Sequence, residues 1–528
     1  MTFLSEVLTY IAGNFSIISF FLYFCLALFV IIYYMIGKKF KIQWVLLLCA
    51  SLFFYLANGL KISLWIFAPI SLSYASSLVV TRLDRKLKSL LVFTTVTLNV
   101  LFLIYFKERN FFVTAHNVLA PFFHKGRWGT VNVVAPLGVS YLILILISYI
   151  LDASWGSIKP LKNPLKFLLY VIYFPVTTSG PITRYSEIEN QLYESHSFDC
   201  DKFCFGVQRI AWGFFKKLVI AERIGLIVNT IYGNWENYQG FTLIVGLLLY
   251  APQLYFDFSG CIDIVLGISE TLGITLPENF RQPFFSTSLS EIWRRWHMTL
   301  GFWVKDYVLY PVLKSKPMQN LSAFLKIKLG NKNRFAKLFP TWCGMFCVWF
   351  IVGFWHGGSF KYIFGAGLFF FIMIAGGQLL EPVFSWFVKI LKINTQTASW
   401  RFFQRMRTFF LFAAAVSFQR ASSLKIGLRM WKRVFKEFNP WIFVDGTLFK
   451  IGLDVKDFFV LLFGLMIVLF VELGEHGNKA ESISMRRRIA NQNIVFRWAV
   501  YLGLVFSVII FGMYGPNYNA SSFIYAGF

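Results

Sequence analysis

The chain has 528 residues, of which 57% are hydrophobic and 14% charged, and its mean hydropathy is +0.61. Soluble domains carry about a quarter charged residues, so a string of soluble domains is excluded and an integral membrane protein is indicated. The 51 Lys and Arg against 25 Asp and Glu leave a net charge of +26, which suits the cytoplasmic loops of a multi-span protein and excludes nucleic acid as a partner, because no soluble reading module stands between the apolar runs.

From Phe15 to Gly37 no residue is charged, a length sufficient for an apolar bilayer core that needs about 20 helical residues. A secretory signal would open with a basic segment, whereas the only charge before Phe15 is Glu6, so this stretch is read as a first span. Uncharged runs follow at Trp44 to Leu60, Ile62 to Thr81, Ser89 to Phe106, Val131 to Leu151, Phe167 to Thr183, Tyr238 to Phe256, Ile363 to Leu380 and Ala499 to Tyr518. Between them lie shorter or interrupted apolar stretches, at Ile210 to Val228, Asn279 to Leu313, Phe339 to Phe360, Phe409 to Gln419 and Phe458 to Val471. Charged and helix-breaking residues at membrane depth are tolerated where they face protein or a wet cavity, so the interrupted middle is the expected site region. The whole chain, 1–528, reads as one all-α polytopic membrane domain, a bundle of about 11 to 13 spanning or re-entrant helices, with 279–360 as the site region inside it.

Basic residues set the expected topology. Lys38, Lys39 and Lys41 follow the first span; the next turn has Lys61 alone; Arg82, Arg85, Lys86 and Lys88 come next, and Lys159, Lys162 and Lys166 later. These alternate as inside, outside, inside, with the loop from Lys107 to Arg127 read as a longer outer segment of lesser weight. The N-terminus is expected outside, Lys479 and Arg486 to Arg488 inside, and the tail 519–528 outside, in a bacterial plasma membrane.

Seven cysteines lie mostly in apolar stretches and imply no disulfide framework. His196, Cys200 and Cys204, at successive intervals of four, would spread over about 12 Å of helix and could not meet one ion, so no metal is expected. Among six histidines, two have unusual settings. His297 lies in Trp293-Arg294-Arg295-Trp296-His297-Met298-Thr299-Leu300, and His356 in Gly353-Phe354-Trp355-His356-Gly357. An ionisable group at membrane depth is a functional hypothesis, though a lone intramembrane His equally serves as a hydrogen-bonding group between helices. Two together favour proton transfer, since neutral imidazole accepts a proton near pH 7. Arg294 and Arg295 are open between binding a donor's phosphates and anchoring an interface. Asp257, at the end of an apolar run, is expected to pair with an arginine, with a structural ion pair as the favoured reading. Phosphate-loop, serine-elbow and zinc-helix motifs do not occur in the sequence.

The two histidine regions, with Trp303, Asp306-Tyr307 and Tyr310-Pro311, resemble the signature regions of the membrane-bound O-acyltransferase family. The branch is that of the bacterial alginate and peptidoglycan O-acetyltransferases and the teichoic acid D-alanyl transfer protein. Phe174-Pro175, Ser179 to Tyr185, Phe214 to Arg223, Tyr255 to Gly260 and Phe418 to Ala421 match as well, over nearly the whole chain. The resemblance implies His356 as catalytic histidine and His297 as second site histidine, both lining a tunnel. It further implies an acyl-thioester donor on the cytoplasmic side, acetyl-CoA in the acetylating members, no bound cofactor, a polysaccharide acceptor and a separate extracytoplasmic acyltransferase as partner. The tail Phe523-Ile524-Tyr525-Ala526-Gly527-Phe528 resembles the aromatic ending of acetylating relatives, which makes Tyr525 either an acyl carrier or an interface anchor. D-alanyl transfer from a carrier-protein thioester is the first rival function. A glycan transporter is the second, expected to show inverted repeats that the sequence lacks.

Overall fold

Helices ending at charged or polar caps account for the apolar runs. In the computed structural model, which describes residues 19–123, 126–130, 133–475 and 484–514, seven helices are long and apolar enough to cross a membrane: Leu60–Val80, Arg85–Asn117, Gly240–Thr271, Arg334–Trp355, Phe360–Leu379, Val455–Glu475 and Ile494–Phe511. Four shorter apolar helices, Leu22–Gly37, Gln43–Ala57, Val139–Trp155 and Pro164–Val176, accompany them, and together the two sets meet the lower end of the expected count. Among the described residues there is no β-strand; Phe280 and Trp296 form an isolated antiparallel bridge. His124, His476 and the tail with Tyr525 lie outside the described residues.

Starts are fixed by side chains that satisfy the first orphan amides. Asn333 accepts from the Ala336 amide at 3.1 Å, and Asn493 from the Phe496 amide at 2.9 Å. Outward faces are apolar, with Phe470 72% and Ile510 67% exposed, a surface that is stable in lipid and would aggregate in water. These observations make the chain a multi-pass membrane protein.

The interior differs from the sequence reading in two places. Lys107 does not begin an outer loop: the helix that starts at Arg85 runs on through a π-helical turn, Ile104–Glu108, into Arg109–Leu119. The sequence reading ended the span at the first charges, whereas here Glu108 is buried and Lys107 half-buried. Similarly, Gly240–Thr271 is a single 32-residue helix that carries Asp257 and Asp263 inward. It packs along Cys200–Phe214 and the π-helical turn Phe215–Ala221. Backbones approach so closely that a Cβ on Gly213 would stand 2.5 Å from the Gly260 carbonyl oxygen.

That contact brings a ladder of charges together. Lys217 bridges Asp257 and Glu222; Lys216 pairs with Asp263, which also takes Arg209 Nε at 3.0 Å; Arg209 holds Glu278 at 2.6 Å; and Arg486 reaches Glu270 at 2.7 Å. Asp257 is thus a structural ion-pair member, as favoured, but its partner is a lysine rather than an arginine. Buried ions need such partners because transfer of a lone charge from water costs far more than its packing returns.

Candidate functional site

The interrupted stretch 279–313 does not form one helix. Asn279 to Arg281 runs antiparallel to Arg295 to Met298: the Met298 amide donates to the Asn279 carbonyl at 2.9 Å, and the Arg281 amide to that of Arg295 at 2.8 Å. Gln282 at φ +46° and His297 at φ +45° turn the chain out of this ladder. A left-handed conformation at a non-glycine residue is strained and persists where the surroundings enforce it. His297 then caps the short helix Met298–Val304, and its ring is 2% exposed.

Several contacts fix that ring. Asn279, fully buried, accepts from the Thr299 amide at 3.1 Å and the Thr299 hydroxyl at 2.9 Å, and its Oδ1 stands 3.2 Å from His297 Nδ1. The Thr299 hydroxyl in turn accepts from the Ile182 amide at 3.1 Å. The Gly180 to Tyr185 turn therefore joins the site rather than merely ending a helix. Phe258 stands edge-on to the imidazole, centroids 4.9 Å apart, and Trp355 and Tyr141 lie 6.2 and 6.4 Å away. Farther along, Trp303 Nε1 donates to the Leu144 carbonyl at 3.0 Å, Tyr307 to Asp152 at 2.8 Å, and Arg184 to Asp306 at 2.6 Å, which pins the segment after His297 to helix Val139–Trp155 and to the turn at Arg184.

His356 arrives from the other direction, at the end of Arg334–Trp355, and is 6% exposed. Its amide still donates to the Val352 carbonyl at 3.2 Å. Gly357 and Gly358, at φ +156° and +58°, then reverse the chain into Phe360–Leu379. Trp355 lies between the two imidazoles, 6.2 Å from His297 and 5.0 Å from His356 by ring centroids, and its Nε1 donates to the Ser140 carbonyl at 3.4 Å. The two histidines, 59 residues apart in sequence, thus share one buried aromatic setting through Trp355.

Sequence reading missed four participants. Lys107 lies in the π-helical turn, and its next residue, Glu108, meets the Gly357–Gly358 reversal after His356. Glu108 packs against Gly358, and its two carboxylate oxygens are buried with no hydrogen-bond partner. Asn279 and Thr299 were visible only as letters in a motif. A charged pair inside an otherwise helical pattern was the available signal for Lys107 and Glu108; for Asn279 the sequence held none, because its contact depends on a fold-back over 18 residues.

The two arginines stand apart from the imidazoles. Arg294 is exposed, and Arg295 is tied to Glu291 at 2.7 Å. A separate cavity of about 540 Å³ is lined by Asp152, Ser157, Arg184, Asp306, Tyr307 and Lys314 among others, without either histidine. It adjoins the turn that carries Lys159 and Lys162.

The chain matches the model of the membrane-bound O-acyltransferase family over residues 7–326, a stretch that includes His297 and ends before His356. It is similar to the probable alginate O-acetylase of Pseudomonas putida, 31% identical over 431 residues that cover 80% of each chain. The teichoic acid D-alanyltransferase of Bacillus subtilis is 34% identical over 242 residues, 44% of this chain and 56% of that protein. The peptidoglycan O-acetyltransferase of Helicobacter pylori is 28% identical over 344 residues, 60% and 61% of the two chains.

Proposed function

Because the chain belongs to the membrane-bound O-acyltransferase family, we propose that this membrane acyltransferase takes an acetyl group from acetyl-CoA on the cytoplasmic side and delivers it outward to hydroxyls of a cell-envelope or secreted polysaccharide. The observation that carries the reading is the convergence of His297 and His356 on one buried aromatic setting, from two interrupted segments. In the first step His356 takes the proton of an acceptor hydroxyl as that oxygen attacks the thioester carbonyl. The carbon–sulfur bond then breaks, the thiolate takes the proton back from the imidazolium, and an ester and free CoA remain. His297 orients the reacting groups. Burial of His297 among Phe258, Tyr141 and Trp355, and of His356 beside Trp355, keeps water from competing as acceptor.

The cavity beside Arg184 and Lys314 supports donor entry from the side of the basic Lys159 to Lys166 turn, which the excess of positive charge assigns to the cytoplasm. Both termini are then extracytoplasmic, and a separate surface-exposed acyltransferase receives the group there. Arg294 and Arg295 keep a secondary role at the donor's phosphates, and Tyr525 is the acceptor hydroxyl if the chain itself carries the acyl group.

A second reading, D-alanyl transfer from a carrier-protein thioester, draws on the 34% identity with the Bacillus subtilis teichoic acid enzyme. One experiment separates the two. Purified protein is incubated with acetyl-labelled acetyl-CoA or with labelled D-alanyl carrier protein, comparing wild type, His356→Ala and Tyr525→Phe. Label from acetyl-CoA that falls by roughly 10²- to 10⁴-fold in His356→Ala supports the first reading; label from the carrier protein alone supports the second; undiminished transfer in His356→Ala overturns the mechanism.

A further inference from the structure

The hydrogen bonds around Asn279 decide a question the histidine itself leaves open. A backbone N–H can only donate, so the Asn279 side-chain atom 3.1 Å from the Thr299 amide must be the carboxamide oxygen and not its nitrogen. The Thr299 hydroxyl accepts from the Ile182 amide, which directs its own proton onto that same oxygen at 2.9 Å. A carboxamide oxygen has no proton to give. The third group within reach of it, His297 Nδ1 at 3.2 Å, therefore carries the proton itself. In a neutral imidazole the remaining nitrogen, Nε2, is then the unprotonated and basic atom.

We propose that Asn279 and Thr299 are positioning residues that lock His297 in its Nδ1–H tautomer, with Nε2 as the unprotonated, hydrogen-bond-accepting atom of that ring. Resting on the acyl-transfer reading for its consequence, this gives His297 a defined chemical role. Its Nε2 accepts the hydrogen bond of a bound hydroxyl and so orients it, without the ring having to rotate or exchange tautomers first. The relay begins outside the histidine segment, at the Ile182 amide, so the turn at 180–185 and the histidine are set by one chain of directed hydrogen bonds.

The test reads the tautomer directly. Full-length protein with ¹⁵N-labelled histidine, reconstituted in lipid, gives nitrogen spectra in which protonated and unprotonated ring nitrogens are distinct, and comparison with His297→Gln assigns the pair. The expected wild-type spectrum has Nδ1 protonated and Nε2 bare. In Asn279→Ala the two nitrogens average or exchange roles. Asn279→Asp, which keeps the acceptor oxygen, retains the wild-type pattern, as does Thr299→Ser, whereas Thr299→Val loosens it. Loss of an oriented ring lowers turnover without removing the base, so kcat falls in Asn279→Ala with KM little changed, and recovers in part in Asn279→Asp. An Nε2–H tautomer or an imidazolium in wild type overturns the proposal, and so does a wild-type pattern persisting in Asn279→Ala. If that variant does not fold, the Thr299→Val and Thr299→Ser pair makes the same comparison. The spectra need no substrate, so failure of the tautomer and failure of acyl transfer are separate outcomes.

Discussion

Gly358 offers the sharpest steric test of how the site is built. A methyl group added there would stand 1.9 Å from Glu108 Oε2 and 3.0 Å from its carboxyl carbon, where ordinary contact begins at 3.4 Å. The carboxylate is 1% exposed, so it cannot swing into solvent to make room. Its withdrawal would shift the Lys107–Glu108 turn or the Gly357–Gly358 turn that seats His356. At φ +58° the new side chain also carries the left-handed penalty of about 1–2 kcal/mol, a factor of about 5–30. Gly358→Ala should therefore destabilise the fold by more than that penalty alone, the excess being the collision. The same substitution made in a Glu108→Ala background should keep the backbone penalty and the 3.2 Å approach to Phe111 Cβ but shed the collision with the carboxylate, and so lose less relative to Glu108→Ala itself. Unfolding free energies measured in detergent give all four corners of the cycle. Equal losses in the two backgrounds would refute the packing of Glu108 on the His356 turn.

Two further outcomes follow from the buried polar contacts. Lys217→Met removes the lysine that bridges Asp257 and Glu222 and should destabilise the protein by about 3–5 kcal/mol in detergent thermal-shift measurements, whereas Lys217→Met with Asp257→Leu should recover part of the loss; a double variant no better than the single would count against the ladder. Trp303→Phe removes the bond to the Leu144 carbonyl while keeping an aromatic ring, and should cost about 1 kcal/mol in the same assay, with no change in unfolding temperature telling against that anchor.

The long apolar runs were legible because a span declares itself locally: the uncharged run from Ala499 marked the last span, although its helix, Ile494–Phe511, begins five residues earlier and takes Arg497 into its first turn. Gly240–Thr271 was legible only to Phe256, because what lets the helix continue past Asp257 and Asp263 is a set of lysines and an arginine supplied some 40 to 50 residues earlier. Lys107 and Glu108 were misread for the same reason, since charges that end a lipid-facing helix do not end one that turns them inward through a π-helical turn. At the site, both histidines were visible as costly residues in apolar surroundings. The amide that holds one of them was not, because hydrogen-bond partners set by a reversal at φ +46° and φ +45° leave no periodic trace.

The last described helix has a consequence for the bilayer itself. Ile494–Phe511 turns no residue fully inward, yet both of its ends are moored: Arg223 Nη1 donates to the Phe511 carbonyl and the Met513 amide to that of Leu218, while Arg486, just before the helix, holds Glu270. Lipid presses on its flanks and protein on its ends. A membrane thicker or thinner than the helix would pull at those moorings before it disturbed the core, and the mooring at Arg223 adjoins Glu222, a partner of Lys217. The choice of lipid in reconstitution therefore bears first on the contacts at the two ends of this helix.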